Sequence, residues 1–145
     1  MRAVALLVLI TLSGCGLFGD RETRSVDVQA QQISDPAQTD LRAIIPVITS
    51  ARLDSVRGGY VLHASGVAPT QGYFLVEFIP ENFERPVNAT LIYQLRALPP
   101  LTPAGTGPES ARTVTAARKI GLDQLSGVSR ILVRGTQNQI EVRPR

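Results

Sequence analysis

The chain has no tryptophan, and cysteine, histidine and lysine each occur once in its 145 residues, as Cys15, His63 and Lys119. Each scarcity excludes a class of chemistry. One cysteine admits no disulfide within the chain. One cysteine and one histidine cannot build the usual Cys/His zinc site, and no cysteine stands in the body of the sequence to form a nucleophilic Cys–His pair. No GxSxG elbow is present. "GTGPES" at 105–110 has glycines but neither the lysine nor the spacing of a phosphate-binding loop. No block of five or six like charges exists to serve as a nucleic-acid arm. The net charge of +3 comes from fourteen arginines and one lysine set among twelve acidic residues. The longest apolar run, residues 3–12 interrupted only by Thr11, has ten residues. A helix needs about 20 to cross a hydrocarbon core.

What is present begins with that short run. Arg2 gives it a positive start, and Leu12-Ser13-Gly14-Cys15 closes it. A basic residue, a short apolar core and small residues before a cut site are the parts of a signal peptide. The last four residues resemble the lipobox of bacterial lipoproteins, an aliphatic residue and two small residues before cysteine. The resemblance implies cleavage before Cys15 and attachment of acyl chains to its sulfur. It also implies a permanent anchor, since two chains hold stably where one is marginal. Gly16 follows the cysteine; aspartate there would favour inner-membrane retention, so the expected location is the periplasmic face of the outer membrane. Residues 1–14 are thus read as signal peptide and 15–40 as lipidated cysteine and tether. Twenty-five flexible residues reach about 28 Å on average. Val26 and Val28 alternate with polar residues and could cover part of the domain that follows.

From residue 41 the pattern changes. Stretches rich in β-branched and aromatic residues recur every 10 to 15 positions between glycines and prolines, as in a sandwich or small barrel. Seven strands are expected, at 47–53, 60–65, 73–79, 91–98, 112–120, 129–134 and 139–143. Ten prolines and twelve glycines argue against a helical fold. In "GYFLVEFIP", alternation places Phe74, Val76 and Phe78 on one side and Tyr73, Leu75, Glu77 and Ile79 on the wetter one. Leu91, Tyr93 and Leu95 should point inward while Gln94 and Arg96 face water. Ile131 and Val133 should be internal, with Arg130, Leu132 and Arg134 outside. "GLDQLSG" at 121–127 reads as one helical turn laying Leu122 and Leu125 on the edge of the core. The fold class expected for 41–145 is all-β, a sandwich of about seven antiparallel strands. Strand number and spacing resemble the immunoglobulin-like and fibronectin type III sandwiches, without the cysteine pair, core tryptophan or tyrosine corner of the former.

Functional candidates are few. Glu77, Glu81 and Glu84 could serve as paired carboxylates in a hydrolase, but "EFIPENFERP" has no calcium-type ligand loop, and no metal or cofactor is expected. His63 is expected on an exposed sheet face. If the strands at 73–79, 129–134 and 139–143 are neighbours, Tyr73, Leu75 and Leu132 form an apolar centre rimmed by Glu77, Arg130, Arg134 and Arg143, the usual anatomy of a protein interface. The expected function is a non-enzymatic binding or assembly module of the cell envelope. The alternatives are a hydrolase using the three glutamates and a carrier of a hydrophobic ligand, which needs a hollow of several hundred cubic ångströms.

Overall fold

The structure, a computed structural model, describes Asp35, Ala37 and residues 40–145. The signal segment, Cys15 and Val26 and Val28 lie outside the described residues. The domain is an all-β sandwich of eight strands: β1 Ala43–Ile44, β2 Val47–Val56, β3 Gly59–Val67, β4 Phe74–Pro80, β5 Thr90–Leu98, β6 Thr113–Gly121, β7 Arg130–Arg134 and β8 Gln139–Val142. One sheet is ordered β2-β3-β6. In the other, β5 pairs β4 on one side and both β7 and β1 on the other, and β8 follows β7.

The eighth strand is β1, two residues long. The chain pairs with Arg96 and Ala97 of β5, then leaves this sheet at Ile45-Pro46 and starts β2 in the other. Proline has no N–H with which to continue a ladder. Ile45 instead donates its N–H to the Leu95 carbonyl at 2.9 Å, and its side chain is fully buried between the layers. The crossing leaves no room on β3 beside it. A Cβ at Gly66 would lie 2.7 Å from the Val47 carbonyl oxygen and 2.8 Å from Ile45 Cγ2.

Alternation holds where strands are regular. Leu91, Tyr93, Leu95 and Ala97 from β5 and Ile131 and Val133 from β7 are buried against Leu62, Ala64 and Ile120 of the opposite sheet. The pair β5–β7 is parallel (Thr90↔Arg130 to Gln94↔Arg134) because the chain passes through the other sheet as β6 before returning. β4 is irregular: Leu75 has φ 48°, and the register slips between Phe74↔Leu98 and Glu77↔Arg96. Such a bulge shifts side-chain parity by one. Tyr73 and Val76 therefore pack on the core, while Phe74 is exposed. This corrects the expected faces of the strand, which put Phe74 inside and Tyr73 outside.

The pairing defines two ends. At one, called here the Phe83 end, β4 passes into β5 through loop 81–89, and β7 starts alongside β5. Gly59 pairs with Gly121, which brings turn 57–58 beside loop 122–129. The Ser129 N–H donates to the Ala89 carbonyl at 2.8 Å, joining the two long loops. Loop 99–112 lies at the opposite, Pro-rich end, where Gln71 donates its N–H to the Gly105 carbonyl at 3.1 Å.

Candidate functional site

The most elaborate polar construction lies on the outer face of β4 and β5. Arg96 belongs to the row of β5 that alternates away from the core, yet it is only 8% exposed. This corrects the expectation that it faces water. Residues at the end of the expected tether and the start of the domain cover it: the guanidinium donates to the carbonyls of Ala37, Asp40 (2.9 Å) and Arg42 (3.2 Å), while its Nε donates to Gln94 Oε1 at 2.7 Å. A planar fork of donors suits this task where a lysine would not. Gln94 in turn donates to Glu81 Oε1 at 2.8 Å, and Glu81 also accepts from Arg134 at 2.9 Å. The Asn82 N–H donates to Asp35 Oδ2 at 2.6 Å. Asp35 thus stands beside loop 81–89, Ala37, Asp40 and Arg42 lie over Arg96 on the outer face, and the chain then turns back as β1.

Asp40 and Arg42 secure this crossing strand. The Asp40 carboxylate accepts from the Arg42 backbone N–H at 2.8 Å and from its side chain, and Arg42 reaches across to Glu77. The Arg42 hydrogen bond holds Asp40 below the usual carboxylate range, against the smaller opposing effect of burial. A carboxylate lowered by folding stabilises the native state above its unfolded pKa, about 4, and that contribution is lost as pH falls through the folded value. Urea unfolding between pH 6 and 3 is expected to show a steeper acid loss for the native chain than for Asp40→Asn. Parallel pH profiles would refute the assignment.

The expected interface residues are dispersed. Arg130, Leu132 and Arg134 do line the outer side of β7, but β5 stands between β7 and β4, so Leu75 and Glu77 are separated from them by a strand and by the segment at 35–42. Tyr73 belongs to the core-packed set. The charged rim is occupied within the domain: Glu77 by Arg42, Arg134 by Glu81, and Arg143 by Glu141 at 2.7 Å. Val26 and Val28, expected as a possible cover of this surface, lie outside the described residues, and Ala37, Asp40 and Arg42 lie over Arg96 instead.

The three glutamates also part company. Glu84 turns toward the opposite side from Glu81, where it accepts from Tyr93 Oη at 3.2 Å, from Arg118, and from Gln124 Nε2 at 2.9 Å. The cause is a left-handed turn: Asn82, Phe83 and Glu84 have φ of 51°, 56° and 58°. Non-glycine residues pay about 1–2 kcal/mol each for that conformation. The turn places Glu84 under the sheet end and Phe83 in solvent. Arg118 lies 5.5 Å above the Tyr93 ring. Burial chiefly, with the nearby Glu84 charge, pushes the Tyr93 hydroxyl well above its ordinary pKa.

His63 lies on the outer face of the three-stranded sheet, as expected. Its Nε2 is 3.2 Å from Asp54 Oδ2, and it lines a hollow of about 180 Å³ with Arg52, Ser50, Ser65 and Thr115. Ser65 and Thr115 hydrogen-bond each other at 3.0 Å. Among the described residues no group of His, Cys, Asp or Glu could hold a metal ion, and no helix is long and apolar enough to cross a membrane.

No protein family, curated protein or solved structure matches this chain significantly. What distinguishes its surface is the placement of the exposed apolar side chains. Leu41, Phe74, Leu75 and Leu101 lie toward the Pro-rich end; Leu41, Leu75 and Leu101 are 93%, 62% and 92% exposed. Val56, Phe83, Val87 and Leu122 lie at the Phe83 end. Leu122, 63% exposed, was expected on the edge of the core; only Leu125 of that turn packs there.

Proposed function

We propose that this chain is a lipid-anchored, non-enzymatic binding or assembly module of the bacterial envelope, held at the periplasmic face of the outer membrane through acylated Cys15. The observation that carries the reading is Leu12-Ser13-Gly14-Cys15 at the end of a ten-residue apolar run with a basic start. The distribution of side chains supports it. Glu77, Glu81 and Glu84 are each committed to a different arginine, and the interior is filled by side chains such as Tyr93 and Ile131. Leu41, Phe74, Leu75 and Leu101 offer an apolar surface to an envelope protein, and such exposed groups mark interaction sites when they gather.

Intact mass of protein extracted from membranes tests the anchor. The expected species starts at residue 15 and carries acyl chains, and Cys15→Ser abolishes it. A buffer-soluble species that begins at Met1 with a free thiol refutes the anchor. Crosslinking in cells tests the binding surface: the adduct formed by the native chain should be lost in the double variant Leu75→Asp, Leu101→Asp. An adduct that survives both changes refutes that surface.

A further inference from the structure

We propose that the Phe83 end of the sandwich is a second membrane contact, which rests against the phosphate headgroups of a bilayer. The inference builds on the anchor reading above but stands on different residues. Three observations converge on this end. First, Asp35, which accepts the Asn82 N–H at this end, stands twenty residues after Cys15 in the sequence. Only that length of chain joins the acylated residue to this end. Second, Val56, Phe83, Val87 and Leu122 are exposed on three adjacent turns. The left-handed conformation of Asn82, Phe83 and Glu84 turns the Phe83 ring outward while Glu84 is held behind it by Arg118 and Gln124.

Third, the charge at this end fits headgroup phosphates. Arg57, Arg85 and Arg130 are exposed there and have no carboxylate partner among the described residues, Arg130 donating to Thr90 Oγ1 at 2.7 Å. The glutamates of the same end, Glu81, Glu84 and Glu141, are neutralised by Arg134, Arg118 and Arg143. Two further acids stand at this end, Asp123 in loop 122–129 and Asp35 on the Asn82 N–H. Apolar side chains between arginines that have no carboxylate partner can dip into the boundary between headgroups and acyl chains while the guanidinium groups stay with the phosphates. The Pro-rich end shares the apolar character but not the charge. Its Arg42 is bound to Asp40 and Glu77, which leaves Arg112, donating to the Ala68 carbonyl at 2.9 Å, as the arginine there without a carboxylate.

The absence of tryptophan from the chain makes the test direct. Residues 16–145, which retain every core side chain from Ile45 to Val133 but lack the cysteine, are prepared with one reporter, Phe83→Trp or Leu101→Trp. Each is mixed with vesicles of phosphatidylglycerol and phosphatidylethanolamine. The Phe83→Trp emission should shift to shorter wavelength and the protein should sediment with the vesicles. The Leu101→Trp emission should stay unchanged. Arg57→Glu or Arg85→Glu in the Phe83→Trp background should each weaken partitioning about fivefold. A Phe83→Trp spectrum indifferent to vesicles, an equal shift from Leu101→Trp, or partitioning unaffected by both charge reversals would overturn the proposal. Because this chain has no Cys15, these results are independent of whether acylation occurs.

Discussion

Tyr93→Ala is expected to destabilise the domain by about 3–5 kcal/mol, the range for emptying a buried aromatic site. Tyr93 is fully buried in β5, the strand that pairs with three others. Its ring meets Phe78 edge-on with centroids 6.2 Å apart, and Arg118 lies over its face. The hydroxyl donates to Glu84, so truncation also takes one donor from a carboxylate that holds the left-handed turn. Tyr93→Phe retains the ring and leaves Glu84 with Arg118 and Gln124; its cost should be about 1 kcal/mol. The two variants also separate in alkali. A tyrosine whose pKa is raised by folding contributes stability that is complete below its unfolded pKa, about 10, and lost as pH rises beyond it. The native chain should therefore lose stability above pH 10 more steeply than Tyr93→Phe. Denaturant titrations measure all three; a loss below 1 kcal/mol for Tyr93→Ala would refute the central place given to this residue.

Arg96→Leu should release residues 35–42 from the sheet. The variant removes the donors of three carbonyls and of Gln94, and hydrogen bonds from a charged group are worth about 1.5–3 kcal/mol. Much of that cost is relieved because the freed segment can turn its carbonyls to water. Global stability should fall by about 2 kcal/mol, and local opening should rise by about thirtyfold, since 1.4 kcal/mol is a factor of ten. Arg42 is a trypsin site within this segment, and cleavage of an opened state follows its population. Limited trypsinolysis should cut after Arg42 rapidly in Arg96→Leu and slowly in the native chain. Arg96→Lys should remain sensitive, because one ammonium cannot reach Gln94 and the carbonyls on both sides with the same geometry. Equal cleavage rates in the native and Leu forms would show that Arg96 does not hold the segment.

The regular strands were legible because burial imposes a period of two on them. Leu91, Tyr93 and Leu95, and Ile131 and Val133, could be placed inside from alternation alone, and the turn residues between strands supplied the all-β sandwich. The errors fall where that period is broken or hidden. A left-handed Leu75 exchanges the environments of Tyr73 and Phe74, and nothing in the residue type announces it, since leucine is a poor choice for that conformation. Glu81 and Glu84 are three residues apart, yet Asn82 and Phe83 send them to different faces. Arg96 follows the outward alternation faithfully and is buried all the same, because its cover comes from residues more than fifty positions earlier.

The residues by themselves determined the all-β class, the inward rows of β5 and β7, and the anchor motif at Cys15 on which the localisation proposal rests, since each depends on neighbours a few positions apart. Only the tertiary structure decided that Arg96 secures the incoming chain, that the interface expected across β4 and β7 is divided by β5, and that exposed apolar groups gather at two ends with different charge. Those outcomes depend on which distant segments meet. Strand order and the path of the chain across a sheet are settled by the packing of the whole core rather than by any local run of residues.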